Sequence, residues 1–415
     1  MTSREKLKTA LAHEPGPAPF DIGGHVCSGM HAACVAALRE YYGLDNHPVK
    51  VFEPMQMLGE IEEDLKEALG CDVEEVSGEN TKFGFPKTGW KEWRMDNGLV
   101  VLVPSGFMTT TNAAGGHFLH PMGDTAAPPS ALMPRDGYYF DPLSRQPDFD
   151  EDELDPRDNL EEYAPISQEA LEYLAAAAKR AVASGRGVAG NFGGTALGDV
   201  AAVPGPALKH PRGIRDVEEW YVSTLTRQDF IHEVFQRQTD LAIENLGKIY
   251  DAVGDQIDVV YVCGADFGSQ LSTLCSPETF IDLYMPYYQK VNNWIHGHTG
   301  WKTLKHSCGA VRSFIPLLIE SGFDCLNPVQ CSAAGMDPRG LKKDFGRDIV
   351  FWGGGVDTQR TLPFGTPEEV RREALERLSI FTEGGGYVFS AVHNIQANTP
   401  AENIAALVDA YKSFT

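Results

Sequence analysis

Short apolar runs alternate with longer amphipathic segments along this chain, and the alternation becomes regular in its second half. Apolar positions recurring near every 3.6 residues predict helices over 168–184, 217–224, 228–253, 277–294, 310–320, 338–345, 367–381 and 400–413. Compact β-branched and aromatic runs between them predict strands at 187–192, 259–262, 303–306, 325–328, 349–352 and 387–390. Such repeated strand–helix alternation calls for right-handed βαβ crossovers and a parallel sheet. So many units in succession predict an α/β fold closed into a (β/α)8 TIM barrel, with an open doubly wound sheet as the alternative.

The N-terminal half is less regular. Ser3 is placed to cap a helix running to about His13, which Pro15-Gly16-Pro17 ends. Residues 18–22 read as a first strand, and 31–42 and 55–69 have helical spacing. Asn97-Gly98 lies between a segment carrying Trp90 and Trp93 and the apolar run 99–103, which predicts a β-hairpin leaving the main sheet. Residues 120–166 are rich in proline and acid and predict an irregular insertion, too long for a plain connector. A lid, an interface arm or a solvated surface loop would each fit it. The expectation is one barrel domain over 1–415 with an insertion at about 84–166.

Composition narrows the function. The 415 residues are 42% hydrophobic and 22% charged, as in globular proteins, which excludes wholesale disorder. A net charge of −23 excludes a nucleic-acid binder working by counterion release and docking on an anionic membrane. The first residues lack the apolar core of a signal peptide, and no run of about 18 uncharged apolar residues occurs, so the expected location is the cytoplasm. The eight cysteines are scattered without a CxxC pair, which suits free thiols. There is neither a GxGxxG after a first strand nor a GxxxxGK[ST], so no dinucleotide or nucleotide cradle is expected.

In a barrel, chemistry sits at the C-terminal ends of the strands. Five successive strands here end in polar clusters: Asp266 and Gln270; His306 and Cys308; Gln330; Asp357 and Gln359; His393 and Asn394. On an extended segment residues two apart share a side, so His306 and Cys308 could meet one metal ion. His393 follows 85 residues after Cys308, two βα units on, across the same mouth. Three protein ligands with an open fourth position describe a catalytic zinc, whereas a hydrogen-bonded histidine beside a packed cysteine would need no metal. Asp266 is the candidate acid, base or substrate carboxylate, or else a cap of the next turn. His296 and His298 are expected to cap a helix end, and Cys263 to pack as a small hydrophobe.

At these residues the chain resembles the uroporphyrinogen decarboxylase-like superfamily. The matching pieces are REKLKTAL, GADFGSQ, SPETFIDLYMPYYQKV, HSCGAVRSFIPLLIESGFDCLNPVQ, AAGMDPRGLKKDFG, VFWGGGVDTQ, GTPEEVRRE and GGGYVFSAVHNIQANTPAENIAAL. Apart from the first, they run in family order over about 227–415. The resemblance implies the same (β/α)8 barrel. It also implies one of two chemistries. True decarboxylases carry an arginine-rich RQAGRY-type segment after the first strand to grip propionates, where this chain reads FDIGGHVCSGMHAACVAAL without arginine. The other branch comprises zinc methyltransferases that work with a methylcobamide and a thiol. Their H-x-C motif is matched by His306 and Cys308, but a histidine, His393, stands where they carry a second cysteine.

The resemblance therefore implies a zinc methyltransferase of a corrinoid-dependent demethylation system, with His306, Cys308 and His393 as metal ligands and Asp266 and His393 as catalytic groups. Gln270, Gln330, Asp357, Gln359 and Asn394 would bind a small methylated substrate, such as an aryl methyl ether. No D-x-H-x-x-G corrinoid motif occurs, so the cobalamin is expected on a separate corrinoid protein, docking through the acidic surface and the 120–166 insertion. The assembly is left open, a homodimer included. The alternative is a metal-free decarboxylase of uroporphyrinogen or another carboxylate, resting on Asp266 and His393.

Overall fold

A computed structural model describes residues 1–414. Seven parallel strands form one sheet: β1 (Val73–Ser77), β2 (Gly187–Asn191), β3 (Val259–Cys263), β4 (Lys302–His306), β5 (Cys325–Asn327), β6 (Val350–Trp352) and β7 (Tyr387–Val388), paired in sequence order. Residues 18–22 supply the eighth stave. Phe389 N–H donates to Pro19 O and Asp21 N–H to Phe389 O, both at 2.9 Å, while on the other side Asp72 N–H donates to Phe20 O at 2.7 Å. The sheet thus closes on itself as a (β/α)8 barrel.

The interior is packed, not hollow. Val73, Ala189, Val259, Leu304, Cys325, Val350, Trp352 and Val388 cluster inside with Leu7, Ala10 and Leu11 of helix α1 (Ser3–Leu11), which plugs the N-terminal end. The cap of α1 is Thr2, not Ser3: its hydroxyl accepts from Glu5 N–H while the Glu5 carboxylate takes the Thr2 N–H. Ser3 instead hydrogen-bonds Asp72 at 2.5 Å.

The outer helices follow their strands. They are α2 (Ala32–Tyr41), α3 (Glu63–Leu69), α4 (Gln168–Ala183), α5 (Val217–Thr226), α6 (Gln228–Val253), α7 (Pro277–Leu283), α8 (Met285–His298), α9 (Ile315–Glu320), α10 (Pro338–Phe345), α11 (Thr361–Phe364), α12 (Pro367–Phe381) and α13 (Ala401–Phe414). None of the described helices is long and apolar enough to cross a membrane.

Three expected helices come out differently. The 277–294 helix breaks at Tyr284, because Pro286 lacks the N–H that would bond back to the preceding turn. The segment at 310–320 begins as a 3-10 turn, Arg312–Phe314, before Pro316 enters α9. The first part of 55–69 is not helical. Glu53 takes the N–H groups of Met55 and Gln56 at 2.9 and 2.8 Å, Met57 adopts a left-handed φ of 53°, and Leu58–Gly59 pairs antiparallel with Val51–Glu53.

Between β1 and α4 the chain leaves the barrel. Lys91–Arg94 pairs antiparallel with Val100–Val103 around Asn97-Gly98, as the hairpin signal predicts. The following stretch is more ordered than its composition suggests. Thr109–Thr111, His117–Leu119, Ala131–Met133 and Asp141–Pro142 form a four-stranded antiparallel sheet. Trp93, Phe107 and Phe140 pack edge to face beneath it, and Phe140 N–H reaches Met55 O at 2.7 Å, so this excursion is fastened to the barrel rim.

Candidate active site at the barrel mouth

The register of the sheet builds the site. His306, the last residue of β4, stands opposite Asn327, the last of β5. Its Nδ1 lies 2.6 Å from Asn327 Oδ1, and Asn327 Nδ2 donates to Trp352 O at 3.0 Å. That second bond fixes the amide orientation, so Nδ1 of His306 must be the donor. The Nε2 lone pair is left facing the mouth, where Cys308 Sγ stands 3.4 Å away. Burial lowers the imidazole's pKa and keeps it neutral.

The Cys308 turn is held from two sides. Its N–H donates to Asp266 Oδ1 at 2.7 Å, and the adjoining Gly309 (φ 85°) leaves room for the β3 loop, since a Cβ there would come within 2.4 Å of Gly268. Burial, and then the Asp266 carboxylate, push the Cys308 thiol well above its ordinary pKa, so without a cation it keeps its proton.

His393 arrives from the loop after β7 with a left-handed φ of 74°. Its ring meets His306 edge-on, centroids 5.2 Å apart, and burial with the neighbouring His306 lowers its pKa to about 4. The Asn394 N–H donates to Nδ1 at 2.7 Å, so the neutral ring carries its proton on Nε2.

The potential ligand atoms of His306, Cys308 and His393 lie within 4.8 Å of one another. Ligand atoms on a tetrahedral zinc stand about 3.5 Å apart, so the donor set fits a zinc ion with modest closure. The Asn327 hydrogen bond to the far nitrogen of His306 is the outer support such a ligand needs. Ligation by His393 through Nε2 would move its proton to Nδ1 and forfeit the Asn394 hydrogen bond. That costs about 1 kcal/mol, against an apparent 10 kcal/mol or more for binding a structural zinc.

Beside these groups opens a cavity of about 370 Å³. Asn191, Tyr261, Cys263, Gly264, Asp266, His306, His393 and Asn394 contribute from strand ends, and Tyr163 and Asp199 from connecting segments. Of the residues expected to bind substrate, only Asn394 lines it. Gln270, Gln330 and Gln359 instead form a chain of side-chain amides between loops, with Gln330 Nε2 to Gln270 Oε1 at 3.0 Å and Gln270 Nε2 to Gln359 Oε1 at 3.4 Å. Gln330 also accepts the Gly309 N–H at 2.9 Å, and Asp357 turns back on the Gln359 N–H at 2.7 Å. These four brace the mouth outside the cavity wall.

Other readings of side chains find their places. His298 Nδ1–H donates to Trp294 O at the end of α8, and His296 pairs with Asp324 at 2.7 Å, so neither joins a metal cluster among the described residues. Cys263 donates to Ala196 O at 3.0 Å on the cavity wall. Sequence reasoning missed Asp199, Tyr163, Tyr261, Asn327 and Lys305. Lys305 is fully buried; its ammonium donates to Ala265 O at 2.6 Å and to His306 O, which locks the ends of β3 and β4 together. Burial lowers its pKa.

An eight-stave barrel with imidazole and thiol gathered over a cavity at its C-terminal mouth belongs among the α/β-barrel enzymes. Residues 141–414 match the family described as Uroporphyrinogen decarboxylase (URO-D), and the chain belongs to that family. Curated relatives include the uroporphyrinogen decarboxylase of Psychromonas ingrahamii, 26% identical over 40% of this chain and 46% of that protein. The Coxiella burnetii uroporphyrinogen decarboxylase is 34% identical over 20% of this chain and 24% of its own length. The chain therefore matches less than half the length of these relatives. Among solved structures, a methyltransferase from Methanosarcina mazei shares the fold, with a TM-score of 0.56 and 17% identity over 100% of this chain and 99% of that one.

Proposed function

We propose that this protein is a zinc-dependent methyltransferase of a corrinoid-dependent demethylation system. It moves a methyl group between a small methylated substrate and a cobalamin carried on a separate protein. The observation that carries this reading is the approach of Cys308 Sγ to His306 Nε2 at 3.4 Å, with His393 completing the trio within 4.8 Å. His306, Cys308 and His393 would hold the ion, which when bound supplies Lewis-acid polarisation of an oxygen or sulfur.

The chain's own residues do the rest. Asn327 holds the His306 ring in the tautomer that presents Nε2. Asp266 ties the Cys308 amide and orients the thiol, which gives up its proton when a cation binds. Asn394 and Asp266 line the cavity in which the substrate's methyl group is presented, and the packed interior beneath keeps water from below. The same cavity argues against a tetrapyrrole bearing many carboxylates. Among the described lining residues the sole Lys or Arg is Lys82, which is exposed, whereas Glu162, Asp199 and Asp266 are acidic.

A second reading, a metal-free decarboxylase resting on Asp266 and His393, has one specific feature in its favour: the hydrogen bond from Asn394 leaves Nε2–H of His393 free to donate a hydrogen bond to a substrate oxygen as it stands. The two separate in one assay. The protein is mixed with cob(I)alamin and a panel of methyl ethers, methyl thioethers and methylated amines, and methylcobalamin is followed by absorbance. Transfer that falls by at least about 100-fold in Cys308→Ala supports the proposal. Transfer unaffected by that substitution, or decarboxylation by zinc-free protein, contradicts it.

A further inference from the structure

The unspent charge in the cavity selects its ligand. Asp199 follows β2 in a Gly- and Pro-rich loop, and its Oδ1 accepts the Ala201 N–H at 2.9 Å. Its Oδ2 has no hydrogen bond and no ion pair among the described residues, and Asp199 lines the cavity. A Cβ placed on Gly264 would come 2.6 Å from this Oδ2 and 2.2 Å from the Tyr261 hydroxyl. Gly264 thus keeps open a corner walled by a carboxylate and a phenol. The φ of Gly264 is not left-handed, so it is space, not backbone conformation, that a side chain there would take away.

The other lining acids are committed elsewhere, and Lys82, the sole lining cation among the described residues, is exposed. Glu162 is already paired with Arg215 at 2.8 Å. Asp266 spends Oδ1 on Cys308 and would balance part of a metal's charge. Asn394 donates its side-chain N–H to Gln56 Oε1 at 3.1 Å, and its oxygen is buried beside Gly29. Asp199 is therefore the lining carboxylate left without a counter-charge, and Tyr163 and Tyr261 stand in the same wall. A carboxylate with aromatic rings in a confined space is the chemistry that recognises a methylated ammonium group.

We infer that the methyl-bearing ligand of this cavity is a compact organic cation, a methylated ammonium ion whose counter-charge is Asp199. This rests on the methyltransferase reading for its consequence but not for its test. Titration calorimetry of the full chain in 0.1 M sodium chloride compares choline with 3,3-dimethylbutan-1-ol, its neutral carbon analogue, so that sodium competes throughout. Zinc is measured on the same samples. The expected result is saturable binding of choline near one per chain, at least tenfold tighter than the alcohol. Binding should weaken tenfold or more in Asp199→Asn, which keeps the Ala201 hydrogen bond, and in Gly264→Ala, with melting temperatures close to the parent's confirming the fold. Equal binding of the two probes, no binding of either, or full binding in Asp199→Asn would overturn the inference. Zinc present without choline binding sinks this inference alone, whereas choline binding without zinc sinks the methyltransferase reading and leaves the cation site standing.

Discussion

A single amide shows how the proposed metal site is set. Asn327 spends Nδ2 on Trp352 O and Oδ1 on His306, so the imidazole has one orientation and one tautomer. Asn327→Leu removes that support and leaves His306 free to rotate. Zinc affinity is expected to fall by about 10–100-fold, measured by competition with a chelating dye, while the fold persists. Unchanged affinity would mean that His306 is not a ligand. At this scale the sequence was partly transparent. His306, Cys308 and His393 stand out because polar residues at barrel strand ends have few other reasons to be there. Asp199 does not, because it lies in a Gly- and Pro-rich loop where no periodicity says which way a side chain faces. Gln270, Gln330, Asp357 and Gln359 stand at the expected strand ends, yet strand-end position marks the mouth and not the side of a loop that meets the cavity.

The elements carry a device that recurs three times. Asp72, Asp258 and Asp324 each immediately precede a strand, β1, β3 and β5. Their carboxylates accept the N–H of Phe20, Val188 and Thr303 respectively, at 2.9, 2.9 and 2.8 Å, so each stitches its strand to the preceding stave at the N-terminal rim. An apolar residue, Asp and then a strand is a pattern the sequence displays, but strand prediction reads through it, since one acid before an apolar run is an ordinary boundary.

For Asp324, burial would raise the pKa. Hydrogen bonds from His296, Lys302 and Thr303 outweigh it and hold the carboxyl at about 2. The folded value is depressed, so the stabilisation is fully present above the unfolded value of about 3.9 and is lost as pH falls through about 2. Asp324→Asn is expected to cost about 1–3 kcal/mol at pH 6, with the gap to the parent closing between pH 4 and pH 2 in denaturant titrations. A pH-independent gap would deny that the charge matters.

Helix limits were legible where capping chemistry is local. Thr366 with Glu369 makes a capping box before Pro367, and Asp337 caps before Pro338, so α10 and α12 fall where their spacing places them. They were illegible where a proline interrupts a good amphipathic pattern, as at Pro286, or where a carboxylate such as Glu53 captures backbone donors that a helix would have used.

At the scale of the molecule, closure depends on a stave barely long enough to count as a strand. Phe20 is fully buried, stacks on Tyr411 of α13 with centroids 4.6 Å apart, and lies 5.4 Å from Phe389. The first and last βα units thus grip each other through one ring. Phe20→Ala is expected to cost about 3–5 kcal/mol and to loosen the seam between β7 and β1 first, read as faster amide exchange at Asp72 and Phe389 than at β4. Uniform loss of protection would instead mean that the barrel opens only as a whole. The barrel was legible because its C-terminal half repeats. The four-stranded sheet within 109–142 was not, since its strands have two or three residues and the Gly- and Pro-rich sequence between them masks them.

The central claim, that His306, Cys308 and His393 hold a zinc ion, is tested most directly by elemental analysis. Protein purified without chelators would be compared with Cys308→Ala and His393→Ala. The account predicts about one zinc per chain in the parent and its loss in both variants. Parent protein free of zinc, or variants that keep it, would contradict the account.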